Sequence, residues 1–173
     1  MSDRRLFLLW MLSFLGFPLG GLCAILIAGP MDGFSSALLG GFLTGLFIGT
    51  GQYLALRRRF RVGAEWIPST AVALAVGNTA GTTLTGSGTG IGSLLVIGFF
   101  AGLCVGAAQW FVLRRRASAR SWPFVVAAAW PIGWTVTWLV GVDVERGYTV
   151  FGASGALVFT ALTGATLVLL SRR

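Results

Sequence analysis

Six stretches of the chain contain no charged residue: Leu6–Ile27, Phe34–Leu56, Trp66–Leu84, Ile91–Leu113, Trp122–Val140 and Val150–Leu170. Each runs 19 to 23 residues, and about 20 apolar residues in a helix cross a hydrocarbon core of about 30 Å. None shows the inside–outside alternation of a barrel strand. Charged residues make up only 10% of 173 positions and the mean hydropathy is +0.84, against roughly 25% charge in a soluble domain. So little charge cannot cover a surface in water. In lipid, every backbone polar group must be satisfied within helices or a closed barrel. The chain is therefore expected to be an all-α integral membrane protein with six transmembrane helices in a single domain over residues 1–173. The short connections predict antiparallel hairpins. Trp66–Leu84 is the least apolar stretch, with Asn78, several threonines, Gly77 and Gly81, and it runs into the Gly/Ser/Thr loop 85–90. Leu6–Ile27 is too long for the apolar core of a signal peptide and is read as a retained helix.

Arginine sets the expected orientation. All 13 basic residues are Arg. Arg4 and Arg5 precede the first stretch, Arg57, Arg58, Arg59 and Arg61 follow the second, Arg114, Arg115, Arg116 and Arg120 follow the fourth, and Arg172 and Arg173 close the chain. Twelve of the 13 thus fall on one side, which the positive-inside rule assigns to the cytoplasm. Both termini are expected there, in a bacterial inner membrane. The opposite loops carry Asp32, Asp143, Glu145 and Arg146. The net charge of +8 is then a topology signal, with anionic lipid headgroups as the expected partner. No nucleic-acid binding is expected from basic runs this short and this close to the apolar stretches.

The chain also repeats itself. Residues 41–59 and 98–116 align at a shift of 57 with 10 of 19 positions identical, sharing G-F-x-x-G-L-x-x-G-x-x-Q-[YW]-x-x-L-R-R-R. A degenerate third copy retains Gly155, Leu170, Arg172 and Arg173, with Thr166 in the glutamine position. Trp10, Trp66 and Trp122 recur 56 residues apart, as do Gly21, Gly77 and Gly133. The unit is one hairpin, giving three tandem parallel repeats at about 1–59, 60–116 and 117–173. The pattern resembles a group of uncharacterised bacterial multi-pass membrane proteins with repeated G-x-x-Q-W-x-x-L-R segments. That resemblance implies a fold type and no activity.

The repeated face has two components. Gly41, Gly45, Gly49 and Gln52 lie within roughly 80° of one another around a helix, and Gly98, Gly102, Gly106 and Gln109 do the same. Small residues at this spacing let helix backbones approach, and a glutamine there can bond across to a neighbour. As interhelical glue, Gln52 and Gln109 are expected far apart, each bonded to its own neighbouring helix. As the lining of a polar site, they would converge with Thr166 around a central space, with Asn78 facing the same cavity. Trp10, Trp66, Trp110 and Trp122 are expected in a headgroup belt. Trp130, Trp134 and Trp138 form a ladder that either packs against the glycine faces or offers an apolar platform to a lipid, quinone or pigment. Pro131 within it predicts a kink.

Other chemistry is missing from the sequence. No histidine is present, which removes an imidazole base or ligand. Cys23 and Cys104 are solitary and are read as small apolar packers. No Asp, Glu or Arg lies within any of the six stretches, although such residues mark ion pathways and proton relays. The Gly-rich run 81–92 lacks the Lys-Ser/Thr of a phosphate loop. Neither cofactor nor metal is expected, and no catalytic residue. The first expectation is a non-catalytic scaffold, accessory subunit or assembly component that presents helix surfaces to another membrane protein or to itself. A small passive permease or a binder of an apolar ligand is the alternative. A lipid-directed enzyme would have only Asp143, Glu145 and Arg146 to work with.

Overall fold

The computed structural model describes residues 2–30, 32–114, 119–142 and 152–172. All regular structure among them is helical: α1 (Asp3–Leu12), a 3₁₀ turn (Ser13–Leu15), α2 (Gly16–Ala28), α3 (Phe34–Leu56), α4 (Trp66–Thr85), α5 (Ile91–Leu113), α6 (Trp122–Leu139) and α7 (Ala153–Leu170). The first three join into one rod, making six rods in all. The 3₁₀ turn has a local cause. Pro18 lacks an N–H and its ring crowds the carbonyl four residues back, which lies on Phe14 inside the tightened turn. Gly86 closes α4 in the left-handed conformation, φ 61°, which costs least where no Cβ is present. Pro131 sits within the continuous helix α6.

Successive rods are antiparallel and pack side by side, and α7 returns to α1, closing a ring. Glycine is what allows the approach. A Cβ added at Gly41, Gly45 or Gly49 would lie 2.9, 2.5 and 3.1 Å from the Cα atoms of Ala75, Ala71 and Ile67 on α4. On α5, added Cβ atoms at Gly98, Gly102 and Gly106 would meet α6: Trp134 Cδ1 at 2.6 Å, the Val126 carbonyl at 2.5 Å and Pro123 Cα at 2.9 Å. Gly77 and Gly81 do the same between α4 and α5, against Ala101 and Ile97.

Four rods, 3–28, 34–56, 91–113 and 153–170, are long and apolar enough to cross a membrane. Helices α4 and α6 have 20 and 18 residues, and several of their polar groups turn inward. Thr70, Asn78, Thr79 and Thr82 of α4 and Thr137 of α6 are buried, whereas Val72, Val76, Phe124 and Ile132 of the same two helices are exposed. Elsewhere too, Gln52, Gln109, Thr160 and Thr163 are buried, while many leucines and phenylalanines, such as Leu26, Phe34 and Phe111, are exposed.

At one end the chain is clasped. Arg172 Nε donates to Asp3 Oδ2 at 2.9 Å, Ser171 Oγ donates to Asp3 Oδ1 at 3.3 Å, and Arg59 donates to the Ser171 carbonyl at 2.9 Å. Asp3 lies before the apolar run that starts at Leu6, and its bond to Arg172 holds the carboxyl below its ordinary value. The clasp puts the N-terminus, the end of α3 and the end of α7 together. Arg115, Arg116, Arg146, Arg173, Asp143 and Glu145 lie outside the described residues.

The glycine contacts are testable. Gly45→Leu and Gly102→Leu force side chains into backbone contacts and are expected to cost about 1–3 kcal/mol or more. Ala55, near the arginine end and expected to be a tolerant position, is instead a core residue at 2% exposure, so Gly92, which has nothing within 4 Å, is the proper control. Equal thermal stability of the Gly45→Leu, Gly102→Leu and Gly92→Leu proteins in detergent would refute the close approach.

Candidate functional site: a buried amide and indole layer

About one and a half turns in from the arginine end of α3 and α5, Gln52 and Gln109 meet. Gln109 Nε2 donates to Gln52 Oε1 at 2.8 Å and to Thr70 Oγ1 at 3.1 Å. Trp66 Nε1 donates to Gln52 Oε1 at 3.2 Å, and Trp122 Nε1 donates to Gln109 Oε1 at 3.1 Å. The glutamines are 2% and 1% exposed. Indole N–H can only donate, so each amide must turn its oxygen to its tryptophan. The Gln109 amino group is thereby directed at Gln52, whose oxygen then accepts from both sides. The expectation of two distant amides is overturned. They bond directly, and both are buried.

The third pair is built differently. Trp10 Nε1 donates to Thr163 Oγ1 at 2.9 Å, joining α1 to α7. Thr166, aligned with the glutamines, is half-buried and donates to the Leu162 carbonyl of its own helix at 3.0 Å. A threonine hydroxyl sits on Cβ and cannot reach as far as a glutamine amide. The acceptor therefore comes from Thr163, fully buried one turn away, beside Gly164, where an added Cβ would be 2.7 Å from Trp10 Cδ1. Trp10 and Trp122 meet edge to face, centroids 6.0 Å apart, linking the third pair to the layer. Trp10, Trp66 and Trp122 are thus fully buried donors and do not form an outward belt. Trp110 is half-buried, with the Arg114 guanidinium 5.3 Å from its ring centroid.

Beyond the layer, away from the arginine end, the core becomes aromatic. Trp130 packs against Phe159 at 4.9 Å and Phe17 at 5.8 Å between centroids. Trp134 is buried against Gly98, but Trp138 is 49% exposed. A four-residue spacing advances about 40° per step around a helix, so the ladder turns out of the bundle and offers no single three-ring platform. A cavity of about 40 Å³ lies farther along, bordered by Asn78, Phe17, Leu74, Trp130 and Trp134. It has room for on the order of three waters. Of the amides singled out in the sequence, Asn78 borders this space and the two glutamines do not. At the arginine end the layer is covered by Leu6, Leu56, Leu113 and Leu170, all buried.

Chemically, the layer holds neutral donors and acceptors committed to one another. Among the described residues no group of three His, Cys, Asp or Glu side chains could hold a metal ion. Cys23 and Cys104 are free and half-buried. No protein-family model, curated protein or solved structure matches the chain.

The indole bonds can be removed with little change in shape. Trp66→Phe or Trp122→Phe leaves a buried amide oxygen one donor short, with an expected cost of about 1–3 kcal/mol. Trp138→Phe is expected to be nearly neutral. The comparison is by thermal unfolding in detergent, and equal losses at the three positions would contradict the bonded layer.

Proposed function

We propose that the chain is a multi-pass protein of the bacterial inner membrane that works without catalysis. Its role is that of a scaffold, accessory subunit or assembly component, offering helix surfaces to another membrane protein or a second copy. All six rods span the bilayer as three tandem hairpin repeats, both termini are cytoplasmic, and the resemblance to bacterial multi-pass proteins with G-x-x-Q-W-x-x-L-R segments is of the same kind. One observation carries this reading: Gln52, Gln109, Thr70, Trp66 and Trp122 bond one another in a buried layer, while large apolar side chains are exposed around the bundle. Such a body is stable in lipid and has its free chemistry on the surface.

A passive permease is the second reading, favoured by the Asn78 cavity alone. The layer and the four leucines stand between that cavity and the arginine end, so passage would require both to open.

Two measurements test the proposal. In a protein lacking Cys23 and Cys104, a cysteine placed at Ser2 is expected to resist an impermeant thiol reagent added outside intact cells; labelling there would refute the orientation. Mass analysis of protein purified in mild detergent is expected to show a stoichiometric protein partner or a defined oligomer. A retained small molecule on a lone chain would favour the ligand-binding alternative instead.

A further inference from the structure

The arginines at the clasped end are not equivalent. Arg59 and Arg172 are turned to Asp3 and Ser171. Arg5, Arg57 and Arg58 instead converge, with Leu9 and Leu54, on a recess of about 400 Å³ between α1 and α3. Among the described residues no carboxylate pairs with these three. Glu65, the other acidic side chain near this end, accepts the Gly63 N–H at 3.3 Å and lines a separate groove between α4 and α5.

The recess continues into an apolar gutter. Leu54 borders both it and a second depression of about 350 Å³ that runs along the junction of the first rod with α3. The floor of the gutter is where the rods touch. A Cβ on Gly16 would lie 2.8 Å from Ile48 Cα, and one on Gly51 would lie 3.3 Å from Ser13 Cα. Its walls are the exposed side chains of Leu12, Leu15, Leu19 and Phe47. From Arg58 to Leu46 the α3 side runs about 18 Å at 1.5 Å per residue, the scale of one bilayer leaflet.

Three arginines with no carboxylate partner among the described residues, at the head of a leaflet-long apolar gutter, fit one kind of molecule. We propose that this groove binds an anionic phospholipid of the bilayer, its phosphate held by Arg5, Arg57 and Arg58 and one acyl chain lying over Gly16 and Gly51. Guanidinium groups suit phosphate because their N–H donors match its oxygens in pairs. The inference rests on the membrane reading, and it places the general attraction of basic residues for anionic headgroups at one defined site.

The test counts lipids on the delipidated, detergent-solubilised protein by native mass spectrometry, using phosphatidylglycerol, phosphatidylcholine and inorganic phosphate as probes. Phosphatidylglycerol is expected to bind tightest. Because each arginine contributes about fivefold in affinity for an anionic surface, Arg57→Gln/Arg58→Gln is expected to weaken it roughly 25-fold. The equal-charge control Arg61→Gln/Arg120→Gln, outside the recess, is expected to change it far less. Thr50→Trp, which fills the gutter and leaves every arginine in place, is expected to weaken it as well. Equal losses in the two double variants would overturn the site in favour of net charge, as would equal binding of phosphatidylcholine. Binding of inorganic phosphate without binding of phosphatidylglycerol would overturn the lipid and leave a bare anion site. Cell fractionation separates the two claims: wild-type protein in the soluble fraction would sink the membrane reading, whereas membrane-bound protein without lipid preference would sink only this inference.

Discussion

The bond between Gln52 and Gln109 is the contact on which the rest of the bundle is arranged. A buried amide without a partner is costly in apolar surroundings, so the two side chains must find each other or something equivalent. Trp66 and Trp122 then set which way each amide faces, because an indole can only donate. The result ties α3, α4, α5 and α6 at one level, and Trp10 with Thr163 extends the same level to α1 and α7. Axial register is what such a layer supplies. A helix that slid by one turn would strand an amide or an indole among leucines.

Glycine supplies the complementary term. Between lipid-exposed helices the hydrophobic effect gives little net attraction, and association depends on close packing and on bonds between helices. The glycine faces let backbones approach closely over the middle of α3 and α5. Packing at these distances tolerates rotation poorly, and the amide layer tolerates sliding poorly. Together they leave the bundle one arrangement, with the small residual space at Asn78 in the half farther from the clasp.

Much of this was legible in the sequence, and the exceptions have physical causes. The rods are announced by charge-free length, since no other device conceals so long an apolar run. The glycine contacts are announced by four-residue spacing, which on a helix can only be a face. A shift of 57 aligns Gln52 with Gln109 in the sequence, but alignment does not say whether two such faces meet. That depends on the rotation of each rod in the closed ring. Tryptophan misled for a related reason: it serves both as an interfacial anchor and as a buried donor, and only the partner distinguishes them. A usable signal was present all the same, because each glutamine precedes a tryptophan by 14 or 13 residues across a short antiparallel connection. Thr163 had no such signal, because the substitution of a short side chain moved the contact along the helix. Ala55 lies close to the arginines in sequence, yet its face of α3 points into the core.

The account stands most directly on a coupling energy. Gln52→Leu, Gln109→Leu and the double variant, unfolded reversibly in detergent, form a cycle that isolates the interaction between the two side chains. A bonded pair predicts a coupling of about 0.6 kcal/mol and up to about 1.7 kcal/mol, the range found for such bonds between membrane helices. The double variant should then lose less stability than the sum of the single losses. Strict additivity, with each glutamine contributing as though the other were absent, would contradict the layer.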